Sequence, residues 1–227
     1  AAAAAAVHAT AGGVGVVTRL AIDTARATVE MAEFGQRMAR AAALVATLDL
    51  RAEDGAPRDE ALRLGKTVLW RYRAQAPAAP VAPLVICYAL VNRPTMMDLQ
   101  PDRSLIRGLL ARGLDVWLVD WGYPDAGDRR LSLDDYVNRQ LGACIDQVRR
   151  SSGAGAVNLL GVCQGGTLSL CHTALHPERV QNLITMVTPV DFQTPDNLLS
   201  KWVQRLDVER MVEVLGNVPG SLLNATF

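Results

Sequence analysis

Histidine is scarce in this 227-residue chain, which has three, and aromatic residues make up only 5% of it. His8, His172 and His176 leave little material for metal ligation or general-base catalysis. Net charge is absent too: 23 Lys plus Arg balance 23 Asp plus Glu. That removes the bulk electrostatic case for binding nucleic acid or an anionic membrane. No run of 18 strongly apolar residues occurs, so nothing reads as a transmembrane segment. The four cysteines (Cys87, Cys144, Cys163, Cys171) form no CxxC pair, the spacing of a zinc site or redox dithiol. They read as reduced thiols of a cytoplasmic protein. The first arginine is Arg19, so no positive region precedes an apolar stretch as a signal peptide requires. Gly12-Gly13-Val14-Gly15 follows no strand and reads as a flexible stretch, not a nucleotide loop. A start in Ala1 to Ala6 and an end at Asn224-Ala225-Thr226-Phe227 read as cut ends.

What is present is an ordinary globular mix, 50% hydrophobic and 20% charged. Composition changes near residue 80: 24 alanines lie in residues 1–80 and 9 in the rest. From Val17 a seam recurs at alternating threes and fours through Leu20, Thr24, Ala27, Met31, Phe34, Met38, Ala41, Val45 and Leu48. This is the spacing of a helix packed along a helix, read here as lying on its own domain, with a partner-binding helix as the other option. Glu53 to Pro57 reads as a polar linker and Ala74 to Pro83 as an Ala/Pro-rich one. Short apolar runs follow at Leu84 to Tyr88, Val116 to Val119, Val157 to Val162 and Leu183 to Val187. Alternating with helical segments, they predict strands buried on both faces of a mostly parallel α/β sheet. Thr67 to Tyr72 is expected as an antiparallel strand at the sheet edge. Asp102 to Arg112 reads as a helix stopped by Gly113, and Ser132 with Asp135 resembles a capping box. Behind that box Leu133, Val137, Leu141, Ile145 and Val148 form a core stripe, with Cys144 beside it as a packed thiol. Cys87, within a strand, receives the same reading.

The chemistry concentrates in Gly161-Val162-Cys163-Gln164-Gly165-Gly166. It follows an apolar strand and opens a helix, the context of a nucleophile elbow. Glycines two residues either side relieve the clashes of a tight turn, and the new helix aims its positive end at the thiol. A thiol attacking a thioester makes another thioester, so the acyl group keeps its transfer potential; cysteine therefore points to acyl transfer more than to hydrolysis. The backbone N–H of Gln164 is the first expected oxyanion donor. Val91, in the loop Ala89 to Pro94, is the second.

No triad closes within the chain. A carboxylate and then a histidine are needed later in the sequence, on loops above the sheet. His172 and His176 lie on the elbow's own helix, roughly 13 to 20 Å down its axis at 1.5 Å per residue, so helix-surface or helix-end roles suit them. His8 precedes the sheet. The chain is expected to lack its last strands, and to be inactive by itself.

Several segments in order resemble the catalytic subunit of a poly(3-hydroxyalkanoate) synthase, of class III or, second, class IV. They are Tyr88 to Pro94, Asp98 to Ser104, Val119 to Asp125, Leu131 to Tyr136, Asn158 to Gly166 and Thr188 to Phe192. The resemblance covers Arg58 to Phe227; the first 55 residues match nothing in it. It implies an α/β-hydrolase fold with helices on both faces of the sheet, with core over 58–190 and the start of a cap region over 191–227; composition and helical spacing add a helical leader over 1–57. The cap matches include Pro195, Asn197, Trp202, Val203, Leu206, Val208, Met211 and Val212. It further implies polymerisation of (R)-3-hydroxyacyl-CoA into polyester with release of CoA and no cofactor. Cys163 would carry the chain as a thioester, Gln164 and Val91 would supply the oxyanion N–H groups, and the triad Asp and His would lie beyond Phe227. A second, non-catalytic subunit, homo-oligomerisation and a place on cytoplasmic storage granules are also implied. Two other readings stand beside it: a thiol hydrolase of the dienelactone or thioester type, and a non-catalytic granule-surface module.

Overall fold

A computed structural model describes residues 5–6, 19–20, 24–47, 55–194, 198–218 and 220. The chain divides into two compact units, Ala1–Ala52 and Glu53–Phe227. In the first, helix α1 spans Thr24–Thr47. Met31, Phe34 and Met38 of the predicted seam are all exposed. Leu20 belongs to a two-residue strand, so it does not extend the helical seam, and Val17 and Leu48 fall outside the described residues.

The second unit is built on six strands: β1 Arg58–Leu64, β2 Thr67–Tyr72, β3 Leu84–Cys87, β4 Val116–Asp120, β5 Val157–Val162 and β6 Val180–Met186. Their order across the sheet is β6-β5-β3-β4-β2-β1. The neighbours from β6 to β4 run parallel, while β2 pairs antiparallel with β4 and with β1. The expected edge strand is therefore one place inward. Arg58–Leu64 covers it, a strand hidden from apolar-run reasoning because its sequence, RDEALRL, is mostly charged.

The apolar runs do what a two-faced sheet requires. Val85 and Cys87 of β3, Trp117 and Val119 of β4, and Val157 and Leu159 of β5 join one core cluster. Their alternates Leu84, Ile86, Val116, Leu118, Leu160 and Val162 join the other. This is the period-two alternation of strand side chains, here apolar on both sides. Helix α3 (Leu141–Ser152) adds Leu141, Cys144, Ile145 and Val148 to the first cluster, and α4 (Gln164–Leu175) adds Leu168. Helix α2 (Leu105–Leu110) sends Ile106 and Leu110 into the second. Helices thus cover both faces.

Three local readings shift. Helix α2 begins at Leu105, not Asp102, because Ser104 caps it by accepting the Arg107 N–H at 2.9 Å. Leu133 is exposed instead of lying in the core stripe. The Ser132–Asp135 box is present, with reciprocal bonds of 3.2 and 2.8 Å, and Asp135–Gln140 after it is wound as a π-helix. The third concerns the last run: it starts earlier, at Val180, and its face is open, with Ile184 and Met186 exposed and Val187 beyond it 81% exposed. The first linker also turns structural. Ala56 is buried, and its N–H donates to Asp98 Oδ2 at 2.5 Å. Asp98 also takes the Ser104 hydroxyl at 2.5 Å and pairs with Arg107 at 3.5 Å, so this resembling segment serves as a buried junction.

After the sheet come α5 (Leu198–Val203) and α6 (Val208–Leu215), the latter capped by Asp207 accepting the Arg210 N–H at 2.9 Å. Trp202, Val203, Leu206 and Val208 are exposed, whereas Met211 and Val212 are half-buried; Pro195 and Asn197 lie outside the described residues. Among the described residues no helix is long and apolar enough to cross a membrane.

Candidate active site

Strand β5 ends at Val162 and α4 begins at Gln164, so Cys163 alone makes the turn. It does so at φ 53° and ψ −129°, a region that costs a non-glycine residue about 1–3 kcal/mol. The neighbouring structure holds it there. Its N–H donates to Met186 O at 2.9 Å, extending the β5–β6 ladder, and its carbonyl accepts the Gly166 N–H at 2.8 Å. The thiol is exposed, as an attacking group must be.

The flanking glycines are dictated by contact. A Cβ at Gly161 would sit 2.4 Å from Gly166 Cα, and one at Gly165 would sit 2.2 Å from Cys87 O. One at Gly166 would meet Thr188 Oγ1 at 1.9 Å. The first turn of α4 thus presses on the end of β3 with no side chain between them. Ser169 on that helix donates to Gly165 O at 2.7 Å, and Thr167 donates to Pro189 O at 2.7 Å.

The loop after β3 comes up beside the elbow. Trp121 Nε1–H donates to Tyr88 O at 2.8 Å, and the Leu90 N–H donates to Gln164 Oε1 at 3.3 Å. Asn92, at φ 78°, turns the chain away. Val91, between them, is 53% exposed. The structure therefore brings Cys163, Gln164 and the Val91 loop together. Sequence reasoning missed the supporting side chains here: Trp121, the Gln164 amide, and Tyr88, whose phenol is pushed up by burial and then by the neighbouring Cys163 charge. The Asp120-Trp121-Gly122 segment was the available signal, since Gly122 sits at φ +70° and a Cβ there would stand 2.6 Å from Lys66 O, so no side chain fits.

The other thiols differ. Burial pushes Cys87 and Cys144 up to about 12, so both stay protonated near neutrality. Cys171 is half-buried on α4.

The two described histidines stay away from the thiol, at the far end of α4. His176 is at the helix end and shares a 2.9 Å bond between its Nε2 and Asn138 Oδ1. His172 is not a surface residue as expected: it is fully buried, with Nδ1 2.9 Å from Val137 O. A carbonyl only accepts, so Nδ1 carries the proton. Val137 belongs to the π-helix, where the Leu141 N–H reaches back to Tyr136 O and the widened turn opens a carbonyl to a side chain. Burial holds the His172 pKa below 6.5; the Val137 bond and Asp146 oppose this, while His176 and Arg179 reinforce it. Below about pH 6.5 the unfolded chain therefore takes up a proton that the folded chain refuses, and stability falls as pH drops. Urea midpoints from pH 7.5 to 5.5 should decline, and His172→Phe should flatten that decline. An unchanged slope in the variant would exclude His172 as its source.

Among the described residues no group of three or more His, Cys, Asp or Glu is placed to hold a metal. A strand-turn-helix with an exposed cysteine at its bend, on a mostly parallel sheet, defines the class. The sequence model of the alpha/beta hydrolase fold matches residues 82–223, and the chain belongs to that family. Within it, the chain resembles poly(3-hydroxyalkanoate) polymerase subunit PhaC. It is 50% identical over 202 residues to that of Allochromatium vinosum, covering 88% of this chain and 57% of the relative. To that of Thiocystis violacea it is 54% identical over 172 residues, covering 75% and 48% respectively. To that of Synechocystis it is 45% identical over 177 residues, covering 75% and 47%. The chain spans about half the length of these relatives. An 88% match is more than residues 58–227 can hold, so the likeness reaches into the leader, contrary to the expectation that it would not.

Proposed function

We propose that the complete protein is a polyhydroxyalkanoate synthase, an acyltransferase that polymerises (R)-3-hydroxyacyl-CoA through a thioester on Cys163. The Cys163 sulfur attacks the thioester carbonyl and a C–S bond forms. The carbonyl oxygen becomes an oxyanion facing the N–H groups of Gln164 and Val91, and collapse breaks the bond to CoA, which leaves as its thiol. The hydroxyl oxygen of a second 3-hydroxyacyl-CoA then attacks the acyl-cysteine carbonyl. The ester C–O bond forms, the C–S bond to Cys163 breaks and the hydroxyl proton passes to the released thiol. The lengthened chain, still a CoA thioester, reacylates Cys163 with release of CoA. An Asp and a His from the part of the relatives' length not spanned here activate these steps. The substrate brings its own activation, so no cofactor enters. By the same resemblance the enzyme is of class III, works with a second non-catalytic subunit and forms homo-oligomers. Its place is the surface of cytoplasmic granules.

The observation that carries this reading is the exposed thiol held at positive φ at the head of α4, in a chain 50% identical to a named polymerase subunit. The test is incubation of the complete protein with 3-hydroxybutyryl-CoA. Insoluble polyester with stoichiometric CoA release is expected. Free hydroxy acid without polymer would instead identify a thiol hydrolase, and no CoA release a non-catalytic module.

A further inference from the structure

We infer that the side chain of Gln164, not only its backbone, is a positioning residue for acyl transfer, because its amide oxygen ties the Val91 loop to the nucleophile turn. This rests on the acyltransferase reading above. The Leu90 N–H donates to Gln164 Oε1 at 3.3 Å across 74 residues of sequence. Gln164 is the first residue of α4, directly after Cys163, and its side chain is half-buried in that contact. The loop is held from beneath by Trp121 Nε1 on Tyr88 O at 2.8 Å, and the Gly165 backbone lies against Cys87 and Tyr88. Beyond Leu90 the loop has no such anchor before it reverses at Asn92. The Gln164 amide is therefore the link at the reaction end of the loop. By occupying the Leu90 N–H it leaves the following one, on Val91, as the second oxyanion donor, and it sets the separation of that donor from the Gln164 N–H.

Two reactions of the same sulfur separate this role from mere support of the turn. Acylation passes through an oxyanion, so it needs both donors in place. Alkylation by iodoacetamide is a displacement with no oxyanion, and needs only the exposed thiolate. In the complete protein, Gln164→Met should slow single-turnover acylation of Cys163 by 3-hydroxybutyryl-CoA about tenfold, the scale of a misplaced donor. It should leave the alkylation rate and its pH profile unchanged. Gln164→Asn, which keeps an amide but withdraws its oxygen, should behave alike and replaces Gln164→Met if that variant fails to fold. Gln164→Glu keeps the accepting oxygen. Its charge will shift the alkylation profile, but acylation per thiolate should return to within about threefold of wild type. Equal slowing of both reactions, unchanged acylation in Gln164→Met, or no recovery in Gln164→Glu would each overturn the inference. If wild type itself forms no acyl-Cys163, the acyltransferase reading falls and takes this one with it. If wild type acylates and Gln164→Met keeps pace, only this one falls.

Discussion

Replacement of Cys163 by alanine in the complete protein is expected to abolish polymer formation, while Cys144→Ala leaves it nearly intact. The two thiols belong to one compact unit but differ in their surroundings. Cys163 stands exposed at the end of β5, where the chain bends through φ 53°. Cys144 is 1% exposed within the core of α3, and burial pushes it up to about 12, so it offers almost no thiolate at neutral pH. Removing a nucleophile costs on the order of 10⁶ in turnover where it has been measured in a serine enzyme. Cys144→Ala removes one buried sulfur, at a stability cost of about 1–2 kcal/mol, with no direct effect on the reacting atoms. CoA release by the two variants measures the difference. Iodoacetamide mapping gives an independent check, with Cys163 labelled ahead of Cys87 and Cys144. Comparable losses of activity in both alanine variants would refute this division of roles.

Gly165→Ala is expected to prevent folding, although it adds one methyl group to the start of a helix. That methyl would stand 2.2 Å from Cys87 O and 2.5 Å from Tyr88 O, both backbone atoms of the central sheet and its loop. Backbone cannot rotate aside, so either α4 lifts from the sheet or β3 is displaced. Overpacking of a side-chain core usually costs about 1–3 kcal/mol. A clash with fixed backbone at a central strand should exceed about 4 kcal/mol, a large share of the roughly 5–15 kcal/mol by which a typical domain is stable. Gly166→Ala provides the contrast, because its nearest neighbour is the Thr188 side chain at 1.9 Å. Adding Thr188→Gly to Gly166→Ala should restore much of the loss, whereas no single side-chain deletion should rescue Gly165→Ala. Soluble yield and urea midpoints of the three variants decide the matter. A Gly165→Ala protein with a wild-type midpoint would mean that the contact relaxes freely.

The central sheet was legible because its strands are almost wholly apolar, with Asn158 the one polar residue in the three runs. Leu84 to Cys87, Val116 to Val119 and Val157 to Val162 admit few other structures between helical segments. β1 was not legible: an outer strand needs little apolar content, and RDEALRL carries its identity in backbone pairing with β2. Nor was the opposite error avoidable for β6. Its run from Leu183 resembles the inner strands, yet Ile184 and Met186 are exposed, because composition records what a residue prefers to bury and not what covers it. His172 shows the same limit. Helical spacing puts it on the elbow's helix, but only the π-turn at Asp135–Gln140, with Val137 O turned toward it, makes it an interior residue.

By itself the sequence determined the turn at Cys163. Glycines around a cysteine between an apolar run and a helix leave the backbone one way to bend, and that is a local, steric matter. Only the tertiary structure decided what surrounds the thiol. The placing of Trp121 under Tyr88, the reach of Gln164 to Leu90 and the burial of Ala56 against Asp98 join residues 33, 74 and 42 apart in the chain. Contacts over such separations depend on how strands order themselves across a sheet, which no local pattern encodes.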